Sequence, residues 1–359
     1  MHSLTRPAVL LLSLASAALL AQQPAIAPTT AAAAPNRDSS YIDAEGTAHV
    51  TRVVPIPETV SPEARRFLAA AAPDQGPPET LAQRRAAIDA YTAQAARDWQ
   101  KICPVRIVEA AMAGVPVRVV TPGDMPQANS DKVLIDLHGG GFNADSGSYT
   151  ESIPIASYAE IKVVAVLYRL APEHPFPAAV DDAVAVYSEL LKSYKPDHIA
   201  IYGTSAGAIL TGEVAVELKK QGLPMPAALG IFSGFGDFAR QGDSTAMYSL
   251  MGLTGHLDPP APTAGPNDYA GKTGLRDPVL SPVYADLRGL PPTLFVTSGR
   301  DMLLSGTINL HRAFLDAGVD ARLIVYEALP HAFWYNPQLP EAIDANHKMA
   351  DFLRQHLVR

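Results

Sequence analysis

One cysteine, Cys103, stands in a chain of 359 residues. It cannot close an internal disulfide or supply a cysteine-based metal cluster, which leaves a free thiol or a buried apolar residue. The fold is therefore expected to rest on its core alone. Basic charge is also scarce: 28 Lys and Arg against 36 Asp and Glu leave a net charge of −8, and no Lys/Arg run exceeds two residues. That balance argues against nucleic acid or an anionic membrane surface as a partner. Long apolar stretches are missing too, since the only one, residues 8–20, falls short of the roughly 20 residues a bilayer-spanning helix needs. No membrane span is expected. Proline is plentiful, with 32 residues in a composition 48% hydrophobic and 18% charged. Such a chain reads as soluble and globular, with many turns.

Arg6 precedes the apolar run, and Ala15, Ser16, Ala17, Ala18 and Ala21 supply small residues along and just after it. This is the three-part layout of a secretory signal, residues 1–21, cleaved near Ala21. A secreted or periplasmic location is the expectation; a flexible or membrane-tethered N-terminus is the alternative. No cysteine follows the run, so a bacterial lipid anchor is not supported. Residues 22–40 are rich in Ala, Pro and Thr and read as a disordered tether. An N-terminal region, 41–103, is helical in period over 62–100, and 104–359 forms the main domain with a Pro/Gly-rich insertion at 237–277.

In the main domain, apolar β-branched runs at 115–120, 133–137, 163–168, 199–202, 228–232, 293–298 and 323–326 alternate with amphipathic stretches. The stretches lie at 178–193, 206–220, 307–317 and 342–357. Runs apolar on both faces, separated by helices, predict a mostly parallel sheet flanked by helices. Ligands of such sheets sit beyond the carboxyl ends of the strands, so chemistry is sought there.

Gly203-Thr204-Ser205-Ala206-Gly207 follows the run 199–202 and opens the helix 206–220. A strand, a G-x-S-x-G sequence and a helix are the context of a nucleophile elbow, where glycines at Gly203 and Gly207 leave room for a sharp turn. A plain tight turn is the alternative. Ser205 would project at a helix start, whose unpaired N–H groups favour a developing anion. A serine nucleophile needs a histidine base oriented by a carboxylate, in the chain order Ser, acid, His. Asp301 follows the run 293–298 in Ser298-Gly299-Arg300-Asp301, and His331 follows the run 323–326 in Leu329-Pro330-His331-Ala332-Phe333. A helix cap or a pair with Arg300 is the alternative for Asp301, and an ordinary loop histidine for His331. Asp286, Asp316 and Glu327 are weaker acids because none occupies the matching loop. His311, His347 and His356 fall in helical patterns and read as packing or surface residues.

After the run 133–137 stands His138-Gly139-Gly140-Gly141-Phe142. Consecutive glycines let backbone N–H groups approach a substrate oxygen, as in an oxyanion loop. A phosphate-binding loop would need a following Gly-Lys-Ser/Thr, which is missing. Gly140, Gly141 and Ala206 are the candidate donors. Gly139 shapes the turn, and His138 fixes the loop by hydrogen bonding.

Together these residues resemble the hormone-sensitive-lipase-like branch of the α/β-hydrolases, the bacterial family IV esterases. The similarity runs from about Val105 to the C-terminus. Its marks are His138-Gly139-Gly140-Gly141, Tyr168-Arg169-Leu170-Ala171-Pro172-Glu173-His174-Pro175-Phe176-Pro177-Ala178, the elbow, Asp277-Pro278-Val279-Leu280-Ser281-Pro282, Asp301 and His331-Ala332-Phe333. The resemblance implies an α/β-hydrolase fold, an eight-stranded and mostly parallel sheet flanked by helices, with an N-terminal helical cap that accounts for 62–100. It also implies a carboxylesterase that uses a Ser205–Asp301–His331 triad, an acyl-enzyme, no cofactor and no metal on short- to medium-chain esters. Its partner would be a small-molecule ester; a homodimer through the last helix and strand is common in the family. Glu173 and His174 are implied to be structural, and the loop from Asp277 to Pro282 to lie near the acid.

The chain departs from the family in carrying Thr204 where Asp is more frequent, which bears on local hydrogen bonding. Leu303-Leu304-Ser305-Gly306 also stands where an Asp-Glu pair often follows the acid. A serine amidase or peptidase of the same fold, and a ligand-binding relative that has lost its base, are the rival readings. His331 counts against the second.

Overall fold

The computed structural model describes residues 39–70, 80–255 and 268–357. The signal-like segment 1–21, the tether up to residue 38 and the middle of the insertion, 256–267, lie outside the described residues. The chain divides into two units, residues 1–55 and 56–359. The first contains a hairpin of β1 (Ser39–Ile42) and β2 (Ala48–Thr51), antiparallel in register. Its turn is closed by Asp43, whose Oδ1 accepts the N–H groups of Glu45 and Thr47.

The second unit opens with α1 (Pro62–Ala69) and α2 (Leu81–Gln100). Ser61 caps α1 and a Thr80/Gln83 capping box starts α2, each supplying acceptors to first-turn N–H groups. There follow β3 (Val105–Met112), β4 (Val115–Pro122), β5 (Val133–Leu137), α3 (Ser152–Ala159), β6 (Lys162–Val166), α4 (Ala178–Leu190), β7 (Ile199–Thr204) and α5 (Ala206–Lys220). β8 (Ala228–Phe232), α6 (Asp243–Met247), β9 (Thr293–Ser298), α7 (Leu304–Asp316), β10 (Ala321–Tyr326) and α8 (Pro340–His356) complete it. The eight-stranded sheet has the order β10-β9-β8-β7-β5-β6-β4-β3. From β10 to β6 neighbours are parallel, and β6–β4 and β4–β3 are antiparallel. This is the α/β-hydrolase arrangement expected from the sequence.

β5, β7, β8 and β9 are buried along their whole length, as their near-continuous apolar runs require. One face of the sheet packs on α4, α5 and α7 and the other on α3 and α8, with Trp99 of α2 buried in that second layer. The stretch 62–100 is therefore not all cap: the end of α2 belongs to the core, and only its first turns reach toward the strand ends. Several boundaries also move. The run 163–168 becomes Lys162–Val166, α4 stops at Leu190, and α7 begins at Leu304 because its N–H is taken by the Asp301 carbonyl. β3 and α3 had no counterpart in the pattern. β3 is a sheet edge with largely exposed side chains, and α3 is one short apolar helix with no side-chain N-cap.

Candidate active site

The C-terminal ends of β5, β7, β8 and β9 and the loop after β10 converge on Ser205. The residue stands between β7 and α5 with φ 59° and ψ −120°. A non-glycine residue held there costs on the order of 1–3 kcal/mol and persists only where its surroundings impose it. Here they do. A Cβ on Gly207 would lie 1.6 Å from the Leu137 carbonyl oxygen, and one on Gly203 2.3 Å from the same atom. The Ser205 N–H donates to the Phe232 carbonyl at 3.0 Å, tying the turn to the end of β8.

Phe232 leads into Ser233, another strained residue, with φ 56°. Its hydroxyl donates to Asp301 Oδ2 at 2.5 Å and lies 2.9 Å from His331 Nδ1. His331 Nδ1 lies 2.9 Å from Asp301 Oδ1, so the carboxylate faces the ring directly. The Thr297 hydroxyl and the Leu303 N–H also donate to Asp301, at 3.0 and 2.8 Å. Asp301 is fully buried and His331 9% exposed. Burial alone would raise the Asp301 carboxyl, but the facing His331 ring and these donors outweigh it and leave the carboxyl below its ordinary value. Asp301 thus holds the histidine, and its second role is a local turn: Oδ1 accepts the N–H of Leu303 just ahead of α7, which has no side-chain cap. Among the described residues no hydrogen bond joins the Ser205 hydroxyl to His331, and such bonds often tighten only with substrate bound.

The loop after β5 supplies the third part. His138 Nδ1–H donates to the Gly139 carbonyl at 2.8 Å, and its ring stacks on Tyr168 at 4.1 Å, as expected of a loop-fixing residue. Gly140 has φ 123° and Gly141 φ 65°; a Cβ on Gly140 would sit 2.0 Å from the Ala144 carbonyl oxygen. Among the described residues, no acceptor takes the N–H of Gly140, Gly141 or Ala206, whereas Gly139 N–H is bonded to Glu151. Three unclaimed donors thus belong to the loop and to the residue after Ser205, the arrangement an oxyanion requires. Phe142 stacks on Tyr269 at 3.4 Å. Arg85 of α2 donates to the carbonyls of Asn143 and Ala171 and pairs with Glu173 at 2.7 Å. The Glu173 carboxyl is held at about 2 by the Arg85 guanidinium, which fits a structural role. His174 is exposed, with its N–H on the Leu170 carbonyl.

In the loop from Asp277 to Pro282, the Ser281 hydroxyl accepts the Phe238 N–H and donates to the Leu275 carbonyl, and Pro282 packs against Gly212 of α5, so the loop braces the insertion and α5. His311, His347 and His356 pack on Phe295, Tyr158 and Phe352. Thr204 Oγ1 accepts the Trp334 indole N–H at 3.1 Å, which supplies the local bond of the unusual elbow residue. No group of three or more His, Cys, Asp or Glu among the described residues is placed to hold a metal ion. Reading the sequence missed Ser233, Glu151 and Asp136. Only Asp136 left a signal, a charged residue inside a strand buried on both faces.

Residues 134–335 match the family model described as alpha/beta hydrolase fold. An acetyl-hydrolase of Streptomyces hygroscopicus is 34% identical over 236 residues, 64% of this chain and 77% of that protein. An esterase of Acinetobacter venetianus is 32% identical over 63% of this chain and 76% of its own length. Among solved structures, esterase E25 superposes with a TM-score of 0.74 at 32% identity, over 86% of this chain and 98% of its own. An esterase of the bacterial hormone-sensitive lipase family gives 0.70 at 31%, over 83% and 99%. The chain belongs to the α/β-hydrolase fold family, in its hormone-sensitive-lipase-like branch of bacterial esterases.

Proposed function

We propose that the protein is a serine carboxylesterase working through Ser205, His331 and Asp301. Ser205 Oγ attacks the ester carbonyl while His331 takes its proton and passes it to the leaving alcohol; Asp301 holds the ring and stabilises its charge. The N–H groups of Gly140, Gly141 and Ala206 receive the negative oxygen. Water, deprotonated by the same His331, then releases the acid from Ser205. The observation that carries this reading is the strained Ser205 at the β7–α5 junction, with a buried Asp301–His331 pair in the loops after β9 and β10, beyond the intervening β8. Relatives named esterases and acetyl-hydrolases support ester over amide chemistry, and the acetyl-hydrolase name supports short acyl groups. On that ground the substrates are taken to be esters with acyl chains of short to medium length. The signal-like residues 1–21 support export, which fractionation of cells expressing the full chain tests.

The mature protein is expected to hydrolyse p-nitrophenyl acetate and butyrate faster than the palmitate, and faster than matched anilides. Ser205→Ala is expected to lower kcat on the order of 10⁴-fold or more. An unchanged rate in that variant would sink the mechanism, and a preference for anilides would favour an amidase.

A further inference from the structure

Two carboxyl groups that no motif marks lie buried beside the oxyanion loop. Glu151, the residue that opens α3, is 3% exposed, and Asp136, in β5, is fully buried. Glu151 Oε1 accepts the Gly139 N–H at 2.9 Å and the Tyr335 hydroxyl at 2.5 Å, and Oε2 accepts the Thr204 N–H at 3.0 Å. One side chain therefore joins the first glycine of the loop, the residue before Ser205 and the turn that follows His331. The fit is close: a Cβ on Gly147 would stand 1.7 Å from Glu151 Oε1.

Asp136 is the opposite case. Neither of its oxygens has a hydrogen-bond partner among the described residues, and the Glu151 carboxyl is the charged group that acts on it most strongly. A buried carboxyl with three donors favours the charge, and one with none favours the proton. The other ionisable groups around the pair are Asp145, the phenols of Tyr168, Tyr202 and Tyr335, and His138. Asp145 is paired with Arg118 at 2.7 Å, and among the described residues no cation acts on Asp136 or Glu151 to neutralise a second negative charge. Burial pushes Asp136 well above the ordinary carboxylate value. It also raises Glu151, to about 7, despite the opposing hydrogen bonds.

We propose that Glu151 is a positioning residue that locks the oxyanion loop to the nucleophile elbow, with Asp136 holding the pair's one proton and donating it to Glu151. The proposal rests on reading Gly140, Gly141 and Ala206 as the oxyanion donors. Gly139 is the neighbour of Gly140, and Thr204 precedes Ser205 and Ala206, so the grip of one carboxylate sets both halves of the anion site.

The test is the full chain and its Glu151→Gln and Asp136→Asn variants, followed with p-nitrophenyl butyrate and with a trifluoromethyl ketone, which adds to the serine as a tetrahedral oxyanion. Glu151→Gln turns an amide NH₂ toward an N–H donor and is expected to lower kcat roughly 30- to 100-fold, the size of an ångström-scale misplacement. KM should stay within about twofold, while affinity for the ketone falls by the same factor as kcat. Asp136→Asn keeps a donor to Glu151 and is expected to lower kcat by less than about threefold. Equal losses in the two variants, or an undiminished kcat in Glu151→Gln, would overturn the clamp. Should Glu151→Gln fail to fold, infrared difference spectroscopy at about pH 7 decides: buried Glu213, also pushed above its ordinary value, contributes the same band to both proteins, and the wild-type minus Asp136→Asn spectrum is expected to show one further carbonyl stretch of a protonated acid. Its absence from the difference spectrum refutes the shared proton. Ser205→Ala run alongside separates the claims, since an inactive Ser205→Ala with an intact Glu151→Gln removes the clamp and leaves the esterase reading standing.

Discussion

Ser233→Ala probes the Asp301–His331 pair without altering either member. In the native site the Ser233 hydroxyl donates to Asp301 Oδ2 at 2.5 Å, leaving Thr297 as the other donor to that oxygen. Hydrogen bonds to a buried charge contribute about 1.5–3 kcal/mol each. Alanine tolerates the positive φ of this position about as well as serine, so the backbone adds little to the loss. A destabilisation of about 2 kcal/mol, or roughly 3–6 °C in Tm for a domain of this size, is expected. Because Asp301 has a depressed pKa, its stabilisation is complete above the unfolded carboxylate value and is lost as pH falls through the folded one. The gap between variant and wild type in urea denaturation should therefore be full at pH 7 and down to about pH 5, and close below about pH 4. The same change weakens the partner of the imidazolium, so kcat should fall roughly tenfold with KM nearly unchanged. A Tm within 1 °C of wild type at pH 7, or a gap that widens toward low pH, would refute this view of the site.

Gly207→Ala places a methyl group 1.6 Å from the Leu137 carbonyl oxygen, inside rigid β5. It should abolish activity and destabilise the fold by about 3 kcal/mol or more; wild-type turnover and Tm in that variant would contradict the elbow geometry. Cys103 is buried, and burial raises its thiol above the ordinary value. Native protein should therefore resist a thiol-titrating disulfide reagent for hours and yield one thiol on unfolding; rapid reaction in the native state would contradict the burial.

The parts of this molecule legible in the sequence were those with a local steric or periodic cause. β5, β8 and β9 are runs apolar on both faces, and the elbow needs small residues at fixed offsets from Ser205. Asp301 and His331 were legible because parallel strands carry function at their carboxyl ends. β3 was not, since an edge strand with exposed side chains shows neither a buried run nor a strict alternation. Ser233 and Glu151 act through contacts spanning 68 and 53 residues of chain, to Asp301 and Thr204. No local pattern encodes such pairs; they follow from the order in which the strands lie. The excess of proline finds a place as well, because Pro172, Pro177 and Pro282 sit in loops that brace Arg85, α4 and α5 around the strand ends.

The most direct measurement is rapid quenching of the protein with p-nitrophenyl butyrate followed by peptide mass spectrometry. The proposed mechanism predicts a burst of one p-nitrophenol per protein and a butyryl group on Ser205 alone, lost in Ser205→Ala. Acylation at any other residue, or turnover that persists without Ser205, would contradict it.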